Sequence, residues 1–307
     1  MKSALKISLI LFIGLITNTG FAAAKGSLLK PFILAQQETS SKFHIVAAKV
    51  RKQLQDAGFI IEGTYIPYDA AEVLVITDKT LLQTAAKTPY GGFGAALRVS
   101  VTQVGNSIQI AFNNPVYLAF AYHLKNPLTS TREKLIKTLG YIKDFGGEGM
   151  TESELLKYHY AYGLSGFSGF MPLASFKTHQ QALEMVEKGL DRKFKQIEKV
   201  YRIDIPGKAQ SIFGLSLKDD VKDEKFLNDK YVMSVIDHEI LRRTAHLPYE
   251  IMVNGNEVLM LHPHFRLAMD FPDLRMFGAN SFGKLMNLPY VYEEFFIKMV
   301  GGEYPRP

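Results

Sequence analysis

The chain has 307 residues, a formal net charge of +6, 47% hydrophobic and 21% charged residues, and neither Cys nor Trp. This is the composition of a globular protein with room for two domains, and it excludes collagen, a long coiled coil and wholesale disorder. The missing cysteines exclude a disulfide scaffold, thiolate metal ligation, iron–sulfur centres and thiol catalysis.

Lys2 and Lys6 precede an apolar run from Ile7 to Ile16, and Ala22-Ala23-Ala24 follows as a small-residue cleavage pattern. Residues 1–24 therefore read as a secretory signal peptide, cut after Ala24. The run is about ten residues, too short to span a bilayer, which takes about 20. Losing Lys2 and Lys6 lowers the formal charge from +6 to +4. No later stretch is long and apolar enough to span. The expected location is the periplasm or the outside of the cell. Arg192-Lys193-Phe194-Lys195, with Lys199 and Arg202, reads as a solvated helix face, so nucleic acid is not an expected partner.

The rest reads as two copies of one unit, residues 25–125 and 171–275. Each opens with a short apolar strand, Phe32 to Ala35 and Met171 to Ala174. A helix follows, His44 to Ala57 with Val46, Val50 and Leu54 on one face, and His179 to Phe194 with Ala182, Met185, Val186 and Leu190 on one face. Thr84 to Tyr90 matches Thr244 to Tyr249, and Val73 to Asp78 matches Val232 to Asp237 as an upstream strand. Leu97, Val99 and Val101 alternate with Arg98, Ser100 and Thr102 as a half-buried strand. Gly105-Asn106 and Asn254-Gly255 are hairpin turns. Val116 to Phe120 matches Phe265 to Met269. The second face of the sheet is polar in copy one. In copy two Met252, Leu259 and Leu261 make it apolar, to be covered by the other copy, by the C-terminal helices or by an apolar ligand.

Between the copies, residues 126–170 read as a helical linker. Leu128 to Ile142 is one helix, and Thr151 with Glu154 forms a capping box that starts another through Tyr158 and His159. Tyr158 and Tyr162 then share a face. After copy two, residues 276–307 hold C-terminal helices, Ser281 to Met286 and Pro289 to Val300. The fold class is α+β: two similar two-layer units of strand, helix, antiparallel strands and helix.

Leu247-Pro248-Tyr249-Glu250-Ile251-Met252-Val253, followed by Gly255-Asn256-Glu257-Val258, resembles the core of domain-of-unknown-function family 302, with copy one a looser match through Pro89-Tyr90, the hairpin and Pro115. The resemblance implies a β-α-β-β-β-β-α unit that tends to pair, so two fused copies would act as a monomer with an internal pseudo-dimer. It implies no activity. Tyr249 stands where family members often carry Cys, so no thiol role carries over.

Histidine supplies the candidate chemistry. His262-Pro263-His264 would put two imidazoles on one side of an extended segment, and His246 could complete a three-nitrogen metal site, with Glu250 or Asp270 beside it. His238 is an alternative third ligand. His264, Arg266, Asp270, Asp273 and Arg275 read either as an anion site or as an Arg–Asp network holding the C-terminal helices. Asp219, Asp220, Asp223 and Glu224 lack EF-hand spacing and read as a solvated loop. Gly163-Leu164-Ser165-Gly166 fails the spacing of a nucleophile elbow. The leading expectation is a non-catalytic protein that binds a small molecule or an envelope protein, with His246, Tyr249, Glu250 and Arg266 as ligand-binding residues. The alternative is a metal-dependent enzyme or metal carrier using His246, His262 and His264. No cofactor is specified, and whether the protein is an enzyme stays open.

Overall fold

A computed structural model describes residues 28–39, 41–160, 166–219 and 222–302. The leader, Tyr162, the segment 163–165 and Asp220 lie outside the described residues. The fold is α+β, built from two sheets.

Copy one runs β1 (Phe32–Glu38), α1 (Phe43–Asp56), β2 (Ile60–Tyr65), β3 (Ala71–Thr77), α2 (Lys79–Lys87), a 3-10 turn at Gly91–Gly94, β4 (Leu97–Val104), β5 (Ser107–Asn113) and α3 (Pro115–Ala121). Then come α4 (Thr129–Leu139), β6 (Lys143–Phe145) and α5 (Glu152–Leu156). Copy two runs β7 (Met171–Ser175), α6 (His179–Asp191), β8 (Ile197–Asp204), β9 (Gln210–Leu217), α7 (Asp229–Ile236), a 3-10 turn at Thr244–His246, β10 (Tyr249–Asn254), β11 (Glu257–Met260) and α8 (Pro263–Asp270). Helix α9 (Leu288–Met299) closes the described chain.

The sheets have the strand orders β2-β3-β4-β5-β1-β6 and β7-β11-β10-β9-β8. Apart from β6, each is the other's order in corresponding strands, so the duplication is visible in topology. The register fixes the residue match. Val99 faces Phe112 and Ile251 faces Met260, and Phe112 and Met260 each stand three residues before the proline that opens α3 or α8. Val99 is thus equivalent to Ile251, and Arg98 to Glu250.

This match corrects part of the sequence reading. Val232 to Ile236 is helix α7, not a strand; its apolar residues recur at helical spacing against the core. The counterpart of β3 is β9. The counterpart of Tyr249 is Leu97, not Tyr90, and Pro115 matches Pro263, which moves the helix match by one residue. The hairpin turns are Gly105-Asn106 and Gly255-Asn256, with φ of 58° and 60° at the glycines. Only the first turn residue takes the left-handed region, the pattern that requires glycine there.

Helices α1 and α6 bury the expected faces, Val46, Val50 and Leu54 in one and Ala182, Val186 and Leu190 in the other. The linker is less helical than its sequence suggests. Thr151 caps α5 as a full capping box, but α5 stops at Leu156, so Tyr158 lies outside it. Strand β6 leaves the linker to pair with β1. Ser281 to Met286 forms only a short 3-10 turn, Phe282–Leu285. Asp219, read as solvated, is buried.

The polar outer face of copy one is buried too. Arg98, Ser100 and Thr102 are each at most 3% exposed. The segment from Asp237 to His246 of copy two lies over them. Thr102 donates to Thr244 Oγ1 at 2.9 Å, Asn113 Nδ2 to the Ala245 carbonyl at 3.1 Å, and Gln109 Nε2 to the Ile240 carbonyl at 2.8 Å. The reciprocal cover is the 3-10 turn of copy one on the outer face of copy two. Gly92 N–H donates to Gln210 Oε1 at 2.9 Å, and Met252, Leu259 and Leu261 join a core with copy one's Leu97, Val99 and Phe112. The covering of copy two's apolar face by the other copy is therefore as expected. Where β2 meets β8, a side-chain carbon on Gly63 would come within 2.6 Å of the Val200 carbonyl oxygen, so only glycine fits that approach.

Candidate functional site

The four sequence-predicted ligand residues do come together, but in the interior. His246, Tyr249, Glu250 and Arg266 are each no more than 4% exposed. Glu250 pairs with Arg98, its own equivalent in the other copy, and accepts the Tyr201 hydroxyl. Arg266 Nη2 donates to the carbonyls of His246 and Pro248, and its guanidinium lies 5.1 Å from the Tyr249 ring centre. Tyr249 donates to the Leu261 carbonyl. Glu250 joins the copies through Arg98, and the other three bond within copy two, so none of the four faces an opening.

The proposed metal ligands are engaged separately. His246 Nδ1 meets Asp270 Oδ2 at 2.6 Å. Pro263 starts helix α8, so the segment is not extended: His262 caps the helix through Nδ1, which accepts His264 N–H, and His264 Nε2 lies 3.2 Å from the Leu285 carbonyl. Burial lowers the pKa of all three, that of His262 to about 4 with His264 adding to the effect, and Asp270 opposes the shift at His246. Among the described residues, no three His, Asp or Glu side chains form a group that could hold a metal ion. The Arg–Asp network exists with a different member: Asp273 takes Arg243, bidentate, at 2.5 Å for both contacts.

The open site lies at the border of the copies. Helix α7 is capped by Asn228, whose side chain accepts Tyr231 N–H. At its other end the chain turns at Asp237 to begin the cover over copy one. The turn between β2 and β3 approaches from copy one. Together they enclose a groove of about 400 Å³ lined by Tyr68, Asp69, Lys230, Ser234, Asp237 and Arg242. Asp237 is 5% exposed; its Oδ1 accepts Arg243 N–H at 2.9 Å, and its Oδ2 has no hydrogen-bond partner. Burial pushes its pKa up to about 6, against the pull of the Arg243 amide and the Arg242 and Arg243 charges. Burial, then the Asp237 charge, pushes the Tyr68 hydroxyl up to about 12. Tyr68 lies 3.1 Å from Thr244 Oγ1.

The duplication supplies the comparison for this groove. Ala71 pairs with Thr102 and Gln210 with Asn254, which makes Asp69 equivalent to Lys208. Lys208 fills the corresponding groove of the other half: its ammonium donates to the carbonyls of Ala85 at 3.3 Å and Thr88 at 2.5 Å, at the end of α2. A cation is favoured at a helix C-terminus, where carbonyls are left without partners. In the open groove an acidic residue, Asp69, takes that position opposite α7.

Protein-family models, curated proteins and solved structures contain no match to this chain.

The sequence reading missed Asp237 and Asp69. One signal was available. Ile66-Pro67-Tyr68-Asp69-Ala70 and Ile205-Pro206-Gly207-Lys208-Ala209 are repeats of one turn with a charge reversal at their fourth residue. Among the described residues, no helix is long and apolar enough to cross a membrane.

Proposed function

We propose that this is an exported, non-catalytic binding protein whose groove between the copies takes a small molecule carrying an ammonium group. The carrying observation is the unpartnered, buried Asp237 oxygen in a groove whose counterpart is filled by the Lys208 ammonium. Arg242 already donates to the Asp237 carbonyl at the end of α7, so an external ammonium would serve the Asp237 side-chain oxygen that has no partner. Lys230 and Arg242 on the same wall suit a carboxylate, so a zwitterion of amino-acid type matches the groove best. A buried carboxylate oxygen left without a donor is costly, and a charge-assisted hydrogen bond from a ligand to Asp237 Oδ2 would relieve that cost.

The test is a thermal-shift and calorimetric titration with glycine, L-lysine and 1,4-diaminobutane. At least one should stabilise the protein, and Asp237→Asn should remove the response. A response that survives Asp237→Asn, or none from any of the three, defeats the reading. Export rests on the leader alone, and an intact mass starting at Lys25 after expression with the leader tests it. The pairing of two like units is what the resemblance to family 302 implies, but each copy carries a further helix, α2 or α7, within its run of four strands.

A further inference from the structure

The loop between α8 and α9 turns apolar side chains outward. Phe277 is 85% exposed, the most of any large hydrophobic side chain among the described residues, and Met276 beside it is half exposed. Single exposures scattered over a surface are ordinary, but an adjacent apolar pair at a loop tip marks a contact surface.

The loop is held in that shape. Phe282 N–H donates to the Arg275 carbonyl at 2.8 Å, and Gly283 N–H to the Met276 carbonyl at 3.0 Å. Inside the loop, Ser281 Oγ donates to the Gly278 carbonyl at 2.8 Å. A side-chain carbon on Gly283 would come within 2.7 Å of the Met276 carbonyl oxygen, so this closure needs glycine. Phe282 anchors the base: it is buried, with its ring centre 4.8 Å from that of His264. The ties that hold Phe282 in the core hold the backbone of Met276 and Phe277 at the surface.

The charge around the tip has one sign. From Leu274 to Tyr292 the sequence carries Arg275 and Lys284 and no carboxylate. Asp273, just before, is taken by Arg243. Arg275 and Lys284 are exposed, and neither forms an ion pair among the described residues. Met286 and Tyr290, on the turn into α9, are exposed as well. An anionic bilayer offers phosphates to the cations and an apolar layer to the ring, and aromatic side chains favour that interface. A protein partner would need a fitted pocket for Phe277 rimmed by acids, whereas lipid meets a projecting tip without a matching shape.

We propose that this loop docks the protein on an anionic lipid surface, with Met276 and Phe277 entering the headgroup layer and Arg275 and Lys284 against the phosphates. The protein has no Trp, so Phe277→Trp makes the loop its sole source of indole fluorescence, at a position too exposed to disturb the fold. The mature full chain is mixed with vesicles of equal parts phosphatidylglycerol and phosphatidylcholine, and with phosphatidylcholine alone. On the first, the emission should shift to the blue and the protein should sediment with the lipid; on the second, neither should occur. Phe277→Asp should weaken vesicle binding about tenfold or more, and Arg275→Gln and Lys284→Gln about fivefold each. Sodium chloride at about 0.5 M should weaken it too. Sedimentation without an emission shift would put the contact elsewhere on the chain, and equal binding to both vesicles would remove the role of the cations. An emission shift with a membrane-free cell extract and none with vesicles would assign the loop to a protein partner. Any of these results, or no binding to either vesicle, overturns the proposal.

Discussion

The two grooves at the copy border carry opposite charges at one pair of equivalent positions, Asp69 and Lys208. Lys208 closes its groove by bonding the end of α2; Asp69 leaves its groove open and makes it acidic beside Asp237. The same contrast recurs on the sheets. Arg98 and Glu250 occupy one position in two copies, with opposite charge, and so they can pair with each other. A duplicated frame held by identical residues would set like charge against like at its axis. Divergence at a few positions leaves a bond in one place and an open acidic groove in another.

The comparison breaks hardest at the axis. Glu250→Leu strands Arg98 in the interior and takes the acceptor from Tyr201, so it should cost about 3–5 kcal/mol, read as a fall in denaturant midpoint. The double variant Arg98→Met/Glu250→Leu should recover most of that loss. If it does not, the pair is more than a mutual neutralisation of two equivalent positions.

Asp237 comes next. Its pKa is raised to about 6 from an ordinary value of 3.8, so the folded state holds its proton more tightly than the unfolded chain. Stability from this group is present in acid and falls as pH rises from about 4 to 6, by about 3 kcal/mol at most. Burial lowers the pKa of His246, which acts in the opposite sense, losing stability as pH falls through about 6.5. Asp237→Asn should flatten the Asp237 slope and match or exceed the parent protein in stability near neutral pH. A pH profile of thermal midpoints for both proteins decides this.

Gly63→Ala tests the contact of β2 with β8. Its methyl meets backbone oxygen rather than a yielding side chain, so a loss of about 1–3 kcal/mol is expected in chemical denaturation. The smallest effect on stability belongs to Asp69→Lys, which should move the midpoint by less than about 1 kcal/mol. Its outcome lies in binding: if the new ammonium settles on α7 as Lys208 does on α2, the thermal response to amines disappears. A retained response would separate the two grooves in kind.

Much of the frame was legible because burial writes a period into sequence. Val46, Val50 and Leu54 mark α1, and the glycine hairpins and proline-led helices mark the repeat. The strand match went wrong at Val232 to Ile236 because a short apolar run has no length by which to tell a buried helix from a strand. The axis residues were found, but with the wrong role. His246, Tyr249, Glu250 and Arg266 look like a site in sequence because polar groups gather there, and only the fold shows that each already has a partner. Asp237 gave no such sign. A lone aspartate after an apolar run becomes distinctive only when the turn at Asp69 is brought beside it.

The reciprocal covering of the sheets also orders the assembly of the chain in time. Tyr65 and Asp229, joined by a hydrogen bond, stand 164 residues apart, and Thr102 and Thr244 stand 142 apart. Contacts of such separation close slowly, because the loop entropy must be overcome before they reward it. Copy one cannot finish its outer face until Asp237 to His246 have been synthesised. A ribosome stalled before that point would carry a sheet with Arg98, Ser100 and Thr102 still facing water, and neither half, cut from the other, would retain the surface that makes it whole.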